Sequence, residues 1–116
     1  MNIITEAKAT RAATLLYHVA KEKTSLWDAE HPGMCSEAER LRQEVYDALY
    51  TEDGRKVGTA TSKASRFMEK NRDAIKVLAE AALKDIETTK HREFLQTSPS
   101  WSGWMTFLEW AGLSVE

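Results

Sequence analysis

Apolar side chains recur at intervals of three and four residues along almost the whole chain, with few residues that break the pattern. At about 100° per residue this spacing gathers them on one side of a helix, and the 116 residues include only five Gly and two Pro. From Thr5 to Glu30 such a stripe contains Ala9, Ala12, Leu15, Leu16, Val19, Ala20, Leu26 and Trp27. It predicts one long helix, bent near Thr24 and Ser25. Ala9, Ala12, Ala13 and Ala20 add little bulk, so a neighbouring helix is expected to approach closely there. His31, Pro32 and Gly33 then stop the element, because proline cannot continue a helix and moves the residue before it away from helical geometry.

Ser36 followed by Glu39 is the spacing at which each side chain accepts from the other's backbone amide, so a second helix is expected to open at Ser36. Leu41, Val45, Ala48 and Leu49 form its apolar stripe. Glu37, Glu39, Arg40, Arg42, Glu44 and Asp47 give it a solvated face. Asp53 and Gly54 interrupt, and Gly58, Thr59, Thr61 and Ser62 read as a loop with candidate caps. A third helix of roughly 25 residues follows from Ser62, with Ala64, Phe67, Met68, Ile75, Leu78, Ala82 and Ile86 on one side. Asn71 lies within that stripe, either kinking one element or capping a new helix at Arg72. Lys76, Glu80 and Lys84 make an exposed charge ladder. A short fourth element ends near Gln96, and a last helix starts with Ser98 as cap and Pro99 in its first turn and ends at Gly112.

These elements predict an all-α fold, a single-domain bundle of four to five helices spanning residues 1–116, with a Trp-rich C-terminal helix. The size suits one domain. A composition of 42% apolar and 29% charged residues implies a packed core and excludes a disordered tail. The single cysteine, Cys35, rules out an internal disulfide. No apolar run approaches the ~20 residues of a membrane span, and the start lacks a secretion signal, so a cytoplasmic protein without membrane contact is expected.

The C-terminal helix is apolar nearly all round. Trp101, Trp104, Met105, Leu108 and Ala111 share one face, Trp110 and Gly103 lie opposite, and Phe107 is at the flank. Two faces therefore want burial. Either the helix is central to the core, or Phe107, Trp110 and Trp104 meet a protein partner, since tryptophans dominate binding hot spots. A second copy of the chain is a further candidate for that surface.

Charge is uneven. The formal net charge is −2, yet residues 51–76 hold seven basic and four acidic side chains. Arg55, Lys56, Lys63, Arg66 and Lys70 are the candidate nucleic-acid contacts, and Lys63, Arg66 and Lys70 line one helix face opposite the apolar stripe. The segment Val57–Phe67 resembles the turn and recognition helix of bacterial helix-turn-helix repressors, with a glycine turn, a small apolar residue and a Ser-Arg pair. The resemblance covers about a dozen residues and ends upstream, where Thr51, Glu52, Asp53 and Gly54 read as a turn. It implies DNA contact by the residues that follow Ser62.

His31 and Cys35 offer two metal ligands where a structural zinc site needs four, and His18 and His91 are isolated, so no metal or cofactor is expected. No Gly-bounded nucleophile turn or phosphate-cradling loop appears, and no enzyme is expected. The reading is a small non-enzymatic protein–protein interaction module, a regulator or inhibitor that blocks a larger assembly in the manner of phage and mobile-element products acting on host defence. The alternative is a helical nucleic-acid-binding regulator using residues 55–76.

Overall fold

The computed structural model describes residues 1–89 and 92–115, with the side chain of Arg92 excepted. The fold is all-α. Seven helices occur among the described residues: α1 (Ile3–Ala20), α2 (Leu26–Glu30), α3 (Met34–Thr51), α4 (Gly54–Lys70), α5 (Arg72–Thr88), α6 (Arg92–Gln96) and α7 (Trp101–Trp110). No strand occurs among them. Contacts gather the chain into two compact units, Met1–Asn71 and Arg72–Glu116.

In the first unit α1, α3 and α4 pack against one another pairwise. The small residues foreseen on α1 make this close approach: Ala9, Ala12 and Ala13 are buried, while Ala20 is half-buried. Leu16, Val19, Val45, Val57 and Met68 are also buried. Asn2 caps α1, its Oδ1 accepting from the Thr5 amide at 2.8 Å. The expected long first helix breaks rather than bends. α1 ends at Ala20, and Ser25 caps a new helix by accepting from the Asp28 amide. The break takes Leu26 off the stripe, so this residue is 85% exposed while Trp27 beside it is buried.

α3 begins two residues before the expected Ser36, from Gly33 in the left-handed region at φ 83°, with no side-chain cap. Ser36 is already inside the first turn, too late to serve as cap. α3 ends in the same way, with Glu52 at φ 56°. The next helix then starts at once, because Asp53 Oδ1 accepts from the amides of Arg55 and Lys56 at 2.9 and 3.3 Å. The segment read as a loop, residues 54–61, is therefore the first half of α4. Gly58 occupies the helix interior with open space around its Cα, and Val57 and Ala60 are buried on the packed face. This also removes the turn on which the likeness to helix-turn-helix repressors rested. At Asn71 the chain does not continue as one kinked helix. The Asn71 side chain donates to the Phe67 carbonyl at 2.9 Å and closes the end of α4.

In the second unit α5 contacts both α6 and α7. The signals read for the last helix are shifted by two residues at its start and hold at its end. Ser98 Oγ accepts from the Ser100 amide at 3.3 Å, and α7 opens at Trp101. Gly112 adopts φ 77° and donates to Glu109, while Leu113 donates to Leu108 at 2.9 Å. This paired closure is the Schellman motif that a glycine after a helix permits.

Two substitutions separate the observed start of α4 from the expected loop. Asp53→Ala should lower stability by about 0.5–2 kcal/mol, whereas Ser36→Ala should change it by less than about 0.5 kcal/mol. Gly58→Ala should raise stability by about 0.5–1 kcal/mol, since helix propensity improves and nothing is crowded. Urea denaturation followed by far-ultraviolet circular dichroism measures all three.

Candidate functional site

Glu37 and Arg40, Arg40 and Glu44, and Glu39 and Arg42 are three or four residues apart on α3, so each pair can meet on the helix surface. They do meet. Arg40 Nε donates to Glu37 at 3.0 Å and Nη1 to Glu44 at 2.8 Å, and Arg42 Nη1 donates to Glu39 at 2.9 Å. The Arg40 guanidinium, chiefly by its hydrogen bond, holds the Glu37 carboxyl below the usual carboxylate range. Arg42 is also stacked, with its guanidinium carbon 5.4 Å from the Tyr17 ring centre and 5.3 Å from that of Tyr46. Every cation on α3 is thus neutralised within α3 itself.

α4 is built differently. It carries five basic side chains and one acidic, and Arg55, Lys56, Lys63, Arg66 and Lys70 are all exposed. At 100° per residue the five fall in an arc of about 100°, and at 1.5 Å per residue the row is about 22 Å long. Thr59 shares the arc, and Glu69 falls outside it. Val57, Ala60, Ala64 and Met68 are buried on the side that faces the core. Among the described residues Lys63 is the one of the five that forms an ion pair, with Glu44 on α3 at 3.9 Å. Arg55, Lys56, Arg66 and Lys70 form no ion pair among the described residues. An open groove of about 480 Å³ runs between α3 and the first half of α4. Glu44 and Asp47 line one wall, Arg55, Lys56 and Lys63 the other, and Ala48 and Ala60 form part of its lining.

The structure thus brings together all five of the nucleic-acid candidates. Arg55 and Lys56, assigned to a loop by the sequence reading, join the other three because α4 begins at Gly54. The aromatic candidates are placed otherwise. Phe107 is 1% and Trp110 8% exposed, and Trp104 is half-buried. The rings of Phe107 and Trp110 stack at 6.3 Å with only 8° between their planes. Arg72 covers Trp110 at 4.2 Å from the ring centre and donates to the Trp110 carbonyl at 2.7 Å. That carbonyl is among those a helix end leaves without an intrahelical partner, so Arg72 both terminates α7 and shields its aromatic ring. Phe107 and Trp110 are thus buried in the folded chain, while Trp101, Trp104 and Met105 are half-buried.

His31 is half-buried and its ring lies 4.7 Å from that of Trp27. Cys35 is 1% exposed, and its thiol is pushed up to about 12 by burial first and by its hydrogen bond with Asp28 and that group's charge second. His18 is buried in α1, and His91 lies outside the described residues. Among the described residues no three His, Cys, Asp or Glu side chains converge as metal ligands, and no helix is long and apolar enough to cross a membrane.

The Cys35 thiol should stay protonated well above neutrality. At pH 8 its labelling by an aromatic disulfide should be at least about 100-fold slower in the folded protein than in urea, because the thiolate is the reacting species. A raised thiol value in the folded state stabilises the fold fully below the unfolded value near 9, and that stability is lost as pH rises toward 12. Replacing Cys35 with Ala should flatten this alkaline decline in urea titrations. In the second unit, Phe107→Ala should cost about 3–5 kcal/mol in the same measurement, whereas Phe94→Ala, at an exposed ring, should cost under about 0.5 kcal/mol. Comparison with protein-family models, curated proteins and solved structures returns no match.

Proposed function

We propose that the chain is a small non-enzymatic regulator that works by binding a macromolecular partner, with the outer face of α4 as its contact surface. The observation that carries this reading is the contrast between neighbouring helices. Both arginines of α3 are neutralised by carboxylates one turn away, whereas four of the five cations of α4 have no ion-pair partner among the described residues. Like charges three and four residues apart on a helix repel by a few tenths of a kcal/mol per pair. Arg66 stands three residues from Lys63 and four from Lys70, and only Glu69, three residues on, offsets part of that repulsion within the helix. A partner of opposite charge relieves that repulsion, and a one-signed row speeds encounter by electrostatic steering.

The aromatic helix is the weaker candidate for contact, because its largest side chains, Phe107 and Trp110, are buried in the folded chain. Binding through them would first expose apolar surface at a cost of several kcal/mol. The α4 face needs no such rearrangement.

A single substitution separates a binding role from a structural one. Arg66→Glu places a carboxylate four residues before Lys70 and three after Lys63, but also three before Glu69, so it should change stability by no more than a few tenths of a kcal/mol. The same change should lower retention of the specific partner by at least about tenfold, since it reverses a contact charge. Capture from native lysate, with and without nuclease, provides the second readout. Partner retention unaffected by Arg66→Glu but lost with Trp104→Ala, in a variant that still melts cooperatively, would return the contact surface to α7.

A further inference from the structure

We infer that the α4 face grips the sugar-phosphate backbone of duplex DNA, an assignment that rests on reading α4 as the contact surface. The side chains in and beside the arc decide the class of partner. They are Arg, Lys and Thr, all exposed, with exposed Ser62 at one edge and half-buried Phe67 at the other. The guanidinium and ammonium groups are hydrogen-bond donors of the kind that contact phosphate oxygens, while the Thr59 hydroxyl is spent on the Arg55 carbonyl at 3.0 Å. Protein interfaces centre instead on buried aromatic or aliphatic anchors, and the arc offers none. Its one bordering ring, Phe67, is half-buried, and a single ring makes no platform on which successive bases of a single strand would stack. What remains is a row of five cations about 22 Å long, enough to follow roughly six base pairs of a duplex at 3.4 Å each.

The neighbouring elements set the direction of approach. The Arg55 and Lys56 amides at the start of α4 are taken by the Asp53 carboxylate, which leaves phosphate contact to the side chains of the row. Glu44 and Asp47 on the α3 wall of the groove repel an anion over the first half of α4. Arg66 and Lys70 lie beyond that wall and are the strongest contacts, with Lys63 shared between Glu44 and the ligand. Backbone contact of this kind does not read sequence.

The test is fluorescence anisotropy with a labelled duplex of about 20 base pairs, titrated with the full chain between about 50 and 200 mM salt. The expected result is saturable binding whose logarithmic salt dependence has a slope of about −3.5 to −4.5, from four to five neutralised phosphates. The double variant Arg66→Gln with Lys70→Gln should reduce that slope by about two and weaken binding at the lowest salt at least tenfold. Lys76→Gln with Lys84→Gln, exposed on α5, should leave binding unchanged. Circular dichroism melts confirm that each variant is folded. Poly-glutamate and a single strand of the same length serve as competitors, and both should compete less well than unlabelled duplex. Binding insensitive to the Arg66 and Lys70 changes, or stronger competition by poly-glutamate, overturns the proposal. Failure to bind duplex, together with capture of a nuclease-resistant protein partner that depends on Arg66, overturns the DNA assignment and leaves the α4 contact surface standing. Loss of neither DNA binding nor partner capture on changing α4 overturns both.

Discussion

The first unit depends on how closely α1 lets its neighbours approach. Ala9, Ala12 and Ala13 present almost no side-chain bulk, and all three are buried where α1 meets α3 and α4. Close approach brings many weak dispersion contacts into range at once, and each is lost with a gap of an ångström or less. Leu16, Val19, Val45, Val57 and Met68 then fill the interior between the three helices. Because Val57, Ala60, Ala64 and Met68 are committed to that interior, the angular position of every other residue of α4 is fixed. The cations at positions 55, 56, 63, 66 and 70 point to solvent as a consequence of core packing.

The same logic in the second unit gives the opposite outcome for its most conspicuous side chains. Phe107 and Leu108 are each 1% exposed, and Trp110 and Ala111 are buried beside them, so the last turn of α7 is covered on both sides. A helix end covered in this way leaves carbonyls that need donors. Arg72 supplies one for Trp110, and the left-handed Gly112 lets the chain fold back to satisfy Leu108 and Glu109. Aromatic bulk here is consumed in holding the fold, and the exposed donors of the molecule lie elsewhere.

The helical class, the apolar stripes and the glycine that ends α7 were legible in the sequence because each is a local pattern with one physical meaning. The first half of α4 was not. Gly54, Gly58, Thr59 and Thr61 are individually poor helix formers, with Gly costing about 1 kcal/mol relative to Ala. That cost is outweighed by the Asp53 cap and by burial of Val57 and Ala60, of which the second exists only once α1 and α3 are in place. Ser36 fails in the reverse direction: its spacing to Glu39 has the form of a capping pair, but Gly33 takes a left-handed conformation and starts the helix earlier. The candidate site suffered the same loss. Lys63, Arg66 and Lys70 were visible as one face, while Arg55 and Lys56 belonged to it only after the helix was extended. The acidic wall opposite them comes from α3 and follows from tertiary contact.

The charge pattern of the hairpin formed by α3 and α4 is the point at which stability and binding diverge. On α3 the carboxylates are interleaved with arginines at spacings of three and four, which is the arrangement that favours the helix itself. The two helices are of nearly equal length, at 18 and 17 residues, and each buries one apolar face, yet their exposed charges are arranged differently. A carboxylate at any of several exposed α4 positions would relieve the repulsion at no cost to the core. Asp53 shows that acid is accommodated at the helix start, and Glu69 that it is accommodated near the end. Between them, over the fifteen residues from Gly54 to Met68, α4 carries four cations and no acid. On the proposed reading, a polyanion laid along such a row relieves its self-repulsion, and the condensed counterions released from the polyanion add to the driving force.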